Sequence, residues 1–197
     1  MLPLARTIER EFHQAEVQVG NLPVPVRPIR LGMLETIPSA WLARAVLAHA
    51  GYDPLELIEG SERDVQVALA NGSIDLAFTL IPADQPTGAV VLLHEEYCLA
   101  LSERHPLAGA RLIQASEVAG ETMLARRACE VLPETSRFFT ERGVRPRFAL
   151  RSDNDDRVMA MVRAGLGVTV APRSLGGEGI VMVPIAEFRR SRTIGLI

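Results

Sequence analysis

Two short segments carry residue types able to hold a small anion. Glu35-Thr36-Ile37-Pro38-Ser39 lies between a strand and a helix. Thr36 and Ser39 supply hydroxyls, and a helix start presents unpaired backbone N–H groups at the positive end of its dipole. Ala125-Arg126-Arg127 follows another strand. A guanidinium there can grip a carboxylate through two parallel bonds. Adjacent side chains point different ways, so at most one of these two arginines enters a pocket. The plainer readings are a helix cap for Thr36 or Ser39 and a solvated surface for the arginines.

Further candidates sit at other strand ends. Ser61 follows the second strand and is better placed as a cap than as a ligand group. Ile81, after the third strand, suits a pocket wall, as Ile37 and Pro38 do. Asn154, Val168 and Thr169 end or follow later strands. Cys129 stands just beyond the arginine pair, whose charge favours a thiolate. No second cysteine lies a few residues on to resolve an oxidised sulfur, so an inert or pocket-lining thiol is the default.

Catalytic and metal readings find little support. No Gly-x-Ser-x-Gly, Gly-x-Gly-x-x-Gly or phosphate-loop string occurs. His13, His49, His94 and His105 are scattered and join no nucleophile motif. Asp153, Asp155 and Asp156 are explained by the charge preference of a helix start. No cofactor, metal or catalytic residue is expected.

Bulk composition agrees. The chain has 197 residues, 48% hydrophobic and 23% charged, with net charge -3. It can bury a core unaided. The charge balance gives no hint of the basic face that DNA binding needs. Two cysteines make neither a disulfide framework nor a zinc site, which points to a reducing cytoplasm. The first residues are charged rather than an apolar signal segment, and the apolar runs are strand-sized.

The elements that position the candidates follow from periodicity. Leu4, Ile8, Phe12, Ala15 and Val19 share one face of a helix over residues 3–20, and such a stripe wants a partner. Three prolines between Leu22 and Pro28 make a linker. Strands at 29–34, 55–60 and 75–80 alternate with helices at 38–50 and from Ser61 to Gly72. A long strand pair covers 90–102. Strands at 122–126, 147–152 and 167–172 then alternate with helices at 133–142 and from an Asp153 cap to Gly165, before VMVPI and RTIGLI. This order predicts parallel strands covered by helices, in two lobes.

Four strings carry a family resemblance: IRLGMLETIPSAWLARAVLAHAG, LANGSIDLAFT, SERHPLA and MVRAGLGVTVAPRS. Together, at these separations, they resemble the effector-binding domain of LysR-type bacterial transcription regulators. The resemblance implies an α/β, two-lobed, periplasmic-binding-protein-like (type 2) fold, each lobe a mixed, mostly parallel sheet flanked by helices. Residues 1–27 would be the linker helix and proline-rich linker, 28–102 lobe I, 103–194 lobe II and 195–197 the return to lobe I. The winged helix-turn-helix head and the C-terminal part of lobe I are absent from this string, so it reads as a fragment. The resemblance implies a ligand sensor without enzymatic activity, binding a small, anionic effector such as a carboxylate between the lobes. It strengthens Thr36 by its family position, and Cys129 lies where peroxide-sensing members resemble this segment. It also implies a homodimer or tetramer through lobes and linker helix, DNA contact only through the head, no membrane and a cytoplasmic location. Two rivals remain: a transporter's solute-binding protein, and a dehydratase-like enzyme for which Glu35 is the only carboxylate worth considering.

Overall fold

The computed structural model describes residues 27–197 apart from Tyr52 and Gln85. The helix expected over residues 3–20 and most of the linker lie outside the described residues. In chain order the elements are β1 (Ile29–Leu34), α1 (Ser39–His49), β2 (Leu55–Gly60), α2 (Glu62–Ala70), β3 (Leu76–Leu80) and β4 (Val90–Ser102). Then come β5 (Thr122–Arg126), α3 (Leu132–Glu141), β6 (Arg147–Ser152), α4 (Asp155–Arg163), β7 (Thr169–Pro172), β8 (Ile180–Val183) and β9 (Ser191–Leu196).

Local chemistry sets most of these boundaries. At α2, the Ser61 hydroxyl accepts the Asp64 N–H at 3.2 Å while the Asp64 carboxylate accepts the Ser61 N–H at 3.2 Å, a reciprocal capping box. The cap of α4 falls one residue later than the expected Asp153. Asn154 is extended, and its side-chain oxygen accepts the Arg157 N–H at 2.7 Å. That frees Asp155, the first helical residue, for another partner. No residue of helix α1 is buried, and Val46 and Leu47 stand in solvent.

The sheet runs in the order β2-β1-β3-β9-β4-β7, with β8 also on β4. Strands β1, β2 and β3 are parallel, as helical crossovers require. Strand β9 then pairs antiparallel with both β3 and β4. The expected strand pair at 90–102 is one long strand that serves two neighbourhoods. Its start, Val90 to Glu96, pairs with β9, and Tyr97 to Ser102 pairs with β7 and β8. Strands β5 and β6 form a parallel pair, joined to the rest by the Met123–Val168 bridge. The chain therefore passes from one half of the fold to the other along β4 and returns along β9.

The apolar core is uneven. Around β4, β7 and α4 it includes Leu99, Leu101, Val158, Val162 and Val168, all fully buried. Around β1 to β3 the clusters are small, centred on Leu34, Phe78, Val65 and Ile74. Where β9 rejoins this thinner half, Gly195 is forced by contact. A Cβ there would stand 2.2 Å from the Val90 carbonyl oxygen and 2.8 Å from Ile81. Gly195→Ala is therefore expected to destabilise the chain by about 1–3 kcal/mol, the usual cost of overpacking. Urea unfolding checks this: the midpoint should fall with the slope unchanged, and an unaltered midpoint would refute the tight passage.

Candidate functional site

Five segments meet where β4 and β9 pass between the halves. From β9 comes Arg192, 5% exposed. From β4 comes Glu95, from the turn after β1 Thr36, from the turn after β5 Glu130, and from the turn after β7 Ser174. The Arg192 guanidinium donates to Glu95 at 2.8 Å, to Glu130 at 2.7 Å and to the Thr36 hydroxyl at 3.1 Å. It also donates to the Thr36 carbonyl at 3.3 Å and the Ser174 hydroxyl at 3.4 Å. Ser174 in turn gives its N–H and its hydroxyl to Glu95, at 2.7 and 2.9 Å. Every guanidinium nitrogen is thus engaged, the condition for burying a cation.

A second buried pair lies alongside. Arg126 is 1% exposed and binds Asp155 through two nitrogens, the Nε bond at 2.7 Å and the other to Oδ2. Burial works against both arginine charges, yet their carboxylate partners outweigh it and hold both more basic than usual. For Glu130, burial likewise opposes ionisation, and the Arg192 charge prevails and lowers its pKa. Arg192 pairs with Glu95 and Glu130 and Arg126 with Asp155, and the two sets are near enough for the Glu130 charge to act on Arg126.

The cleft mouth continues the theme. A small hollow of about 80 Å³ is lined by Glu35, Glu59, Asp153, Asn154, Asp155 and Asp156 besides Ile37 and Ser39. Here the Ser39 hydroxyl donates to Asp156 at 2.6 Å, tying the start of α1 to the start of α4. Partial burial raises the Glu35 pKa, helped by the negative charges of Glu59 and Asp153. Among the described residues, no group of acids, histidines and cysteines is arranged to hold a metal ion.

The expected site residues therefore divide. Thr36, Ile37, Pro38, Ser39 and Asn154 gather at the cleft, the first three of them buried. Arg126 points inward and Arg127 outward, but Asp155 holds Arg126, so it offers no free fork to a ligand. Arg127, Cys129 and Thr169 face a different cavity, between α3 and the β5–β6 pair, which Arg126 also borders. Ser61 caps α2, Ile81 packs beside Gly195, and Val168 bridges to Met123. The Cys129 thiol is pushed up by burial, which outweighs the Arg126 charge, so the nearby arginines do not make it a thiolate.

Sequence reasoning missed Arg192, Glu95, Glu130 and Ser174. A signal existed for Glu95, a charge within the largely apolar strand at 90–102 that calls for a partner, whereas Arg192 stands among Arg189, Arg190, Ser191 and Thr193 and carries no such mark. The Thr79 hydroxyl is buried without a hydrogen-bond partner among the described residues. Tyr97 faces Glu130, and burial raises its pKa.

A buried cleft between two α/β halves, polar within and walled by strand ends, defines a ligand-binding module of the periplasmic-binding-protein type. Residues 24–197 match the LysR substrate binding domain, and the chain belongs to that family. It is 25% identical over 181 residues to the transcriptional regulator GltR of Bacillus subtilis, covering 89% of this chain and 60% of GltR. It is 26% identical over 209 residues to a probable hydrogen peroxide-inducible genes activator of Mycobacterium avium, covering 100% of this chain and 67% of the relative. The fold matches the effector binding domain of QuiR in complex with shikimate at TM-score 0.63, with 20% identity and 86% of each chain covered. It also matches the CcmR regulatory domain of Synechocystis in complex with 2-PG at TM-score 0.64, with 18% identity and 86% of each chain covered.

The buried and exposed arginines should behave differently. Arg126→Ala is expected to cost about 3–5 kcal/mol by leaving Asp155 buried without its cation. Arg127→Ala, whose contact to Asp153 is at 3.5 Å with both side chains exposed, should cost under about 1 kcal/mol. Urea unfolding of both variants is the check, and equal losses would contradict the assignment.

The lowered pKa of Glu130 sets a pH dependence. Its ion pair contributes fully above the ordinary carboxylate value of 4.5 and fades as pH falls below that through the folded value. Parent and Glu130→Gln should thus differ by a constant amount from pH 5 to 7 and converge below about 4.5. A gap that stays constant down to pH 3 would show that Glu130 carries no such linkage.

Proposed function

We propose that this chain is the ligand-sensing part of a cytoplasmic bacterial transcription regulator and has no catalytic role. Its effector is a small anion, a carboxylate or close relative, bound between the two halves. The division into two lobes is kept, with β4 shared between them. The observation that carries this reading is that the chain's own carboxylates occupy the places an anion would take. Glu130 sits on Arg192, Asp155 on Arg126 and Asp156 at the start of α1. Glu130 is the exchangeable one. It comes from a turn, and one bond of 2.7 Å from Arg192, beside the facing Tyr97 hydroxyl, holds it in the cluster.

Exchange answers the electrostatic objection to an anion in an acidic cleft. If the effector's carboxylate replaces that of Glu130 on Arg192, the buried charge does not change. Only the difference between two similar ion pairs is at stake, to which apolar contacts with Ile37 add. Shikimate and 2-PG, bound by two proteins of the same fold, are both small acids. The enzymatic alternative rests on Glu35, whose pKa partial burial raises, and it is disfavoured because the buried carboxylates Glu95, Glu130 and Asp155 are neutralised by arginine rather than free to act as its acid or base partner. In the whole regulator, as a homodimer or tetramer, displacement of Glu130 would alter the seating of the halves and bias a DNA-binding head.

Calorimetry with small carboxylates and their matched amides tests this. At least one acid should bind, and its amide should not. Glu130→Gln should tighten binding of that acid about tenfold, the equivalent of 1.4 kcal/mol, by weakening the internal competitor. Thr36→Val should weaken it. Equal binding of acid and amide, or a weaker acid complex in Glu130→Gln, would overturn the exchange.

A further inference from the structure

The cleft carries opposite charges at its two ends. Inside, the buried Arg192 holds Glu95 and Glu130. Exchange of Glu130 for an effector carboxylate keeps that end balanced but leaves the mouth as acidic as before. There Glu35, Glu59, Asp153, Asp155 and Asp156 line one hollow of about 80 Å³, which no arginine or histidine lines.

These five charges are unequally compensated. Asp155 is paired with Arg126, Asp153 has Arg127 at 3.5 Å, and Asp156 accepts the Ser39 hydroxyl. All three also stand at the positive end of α4. Glu35 and Glu59 have neither relief. Their side chains make no hydrogen bond or ion pair among the described residues. The backbone nonetheless fixes them side by side at the ends of β1 and β2. Met33 is paired with Glu59, and the Glu35 N–H donates to the Gly60 carbonyl at 3.0 Å. Glu35, already disfavoured as an anion by partial burial, also feels Glu59 from its own half and Asp153 from the other.

The hollow adjoins the Arg192 cluster on two sides. Thr36, whose hydroxyl accepts from Arg192 at 3.1 Å, lies between Glu35 and Ile37 of the hollow's wall. Ser174, also bonded to Arg192, precedes Leu175 of the same wall. A small molecule seated on Arg192 thus has the unpaired carboxylates next to it. A plain anion is held at one end and repelled at the other. A molecule with a cation beside its carboxylate matches both. The hollow has room for an ammonium group, which is close in size to a water molecule at about 30 Å³.

We propose that the effector of the cleft is an amino acid or similar small ammonium carboxylate, with its carboxylate on Arg192 and its ammonium in the hollow against Glu35 and Glu59. This rests on the exchange at Arg192 and narrows it from carboxylates in general to those that carry a cation.

The protein amino acids, β-alanine and 4-aminobutyrate are the probes, each compared by calorimetry on the full chain with the acid that lacks its amino group. At least one amino acid should bind about tenfold more tightly than its deaminated acid. The Glu35→Gln/Glu59→Gln double variant should lose about tenfold for that amino acid and nothing for the acid, with circular dichroism showing an intact fold. Glu130→Gln should tighten both, because the exchange serves both. If acids bind as tightly as their amino acids while Glu130→Gln still tightens them, the ammonium site is overturned and the exchange stands. Parent-like binding of the amino acid by the double variant would have the same meaning. Binding of no amino acid and no acid at millimolar concentration would overturn both readings.

Discussion

A guanidinium buried on the strand that joins two halves of a protein has to be neutralised there. Arg192 meets this demand by drawing in groups from β4 and from three separate turns. Its partners lie 97 residues away at Glu95, 156 at Thr36, 62 at Glu130 and 18 at Ser174. The turns after β1, β5 and β7 therefore cannot move independently of β9 without exposing a charge or leaving it unpaired. Removing one partner of such a cluster costs several kcal/mol, whereas rearranging it so that all remain paired costs little. The cluster is thus rigid towards mutation and permissive towards exchange.

That asymmetry links the fold to sensing. The cleft holds its own carboxylates on its own cations. In the proposed exchange an effector would replace one of these internal contacts, and the structural change would follow from where the displaced side chain sits. Glu130 lies between Arg192 and the beginning of α3, so its release in that exchange would be felt in a helix as well as in the cleft.

Much of this was legible in the sequence. Strand and helix order, the parallel start of the sheet, the Ser61–Asp64 cap and the family strings all rest on local pattern, which one chain displays. Three things were not. The hand-over within β4 is invisible because both parts of the strand look alike in composition. The partner of Arg126 depended on a cap at Asn154 rather than Asp153, a one-residue shift below the resolution of pattern reading. The Arg192 cluster depends on pairings across as many as 156 residues, which spacing alone does not encode. The two clusters of candidate residues looked like one site and divide between two hollows, because β5 presents Arg126 to the interior while Arg127 faces outward.

The account turns on a strong, direct coupling between Arg192 and Glu130 in the ligand-free chain. A double-mutant cycle with Arg192→Met and Glu130→Gln, read by urea unfolding at pH 7, measures it. The account predicts a coupling above about 1.5 kcal/mol, as found for close, desolvated charge pairs. Additivity of the two substitutions within about 0.5 kcal/mol would mean that Glu130 does not hold Arg192, and that an effector has nothing there to displace.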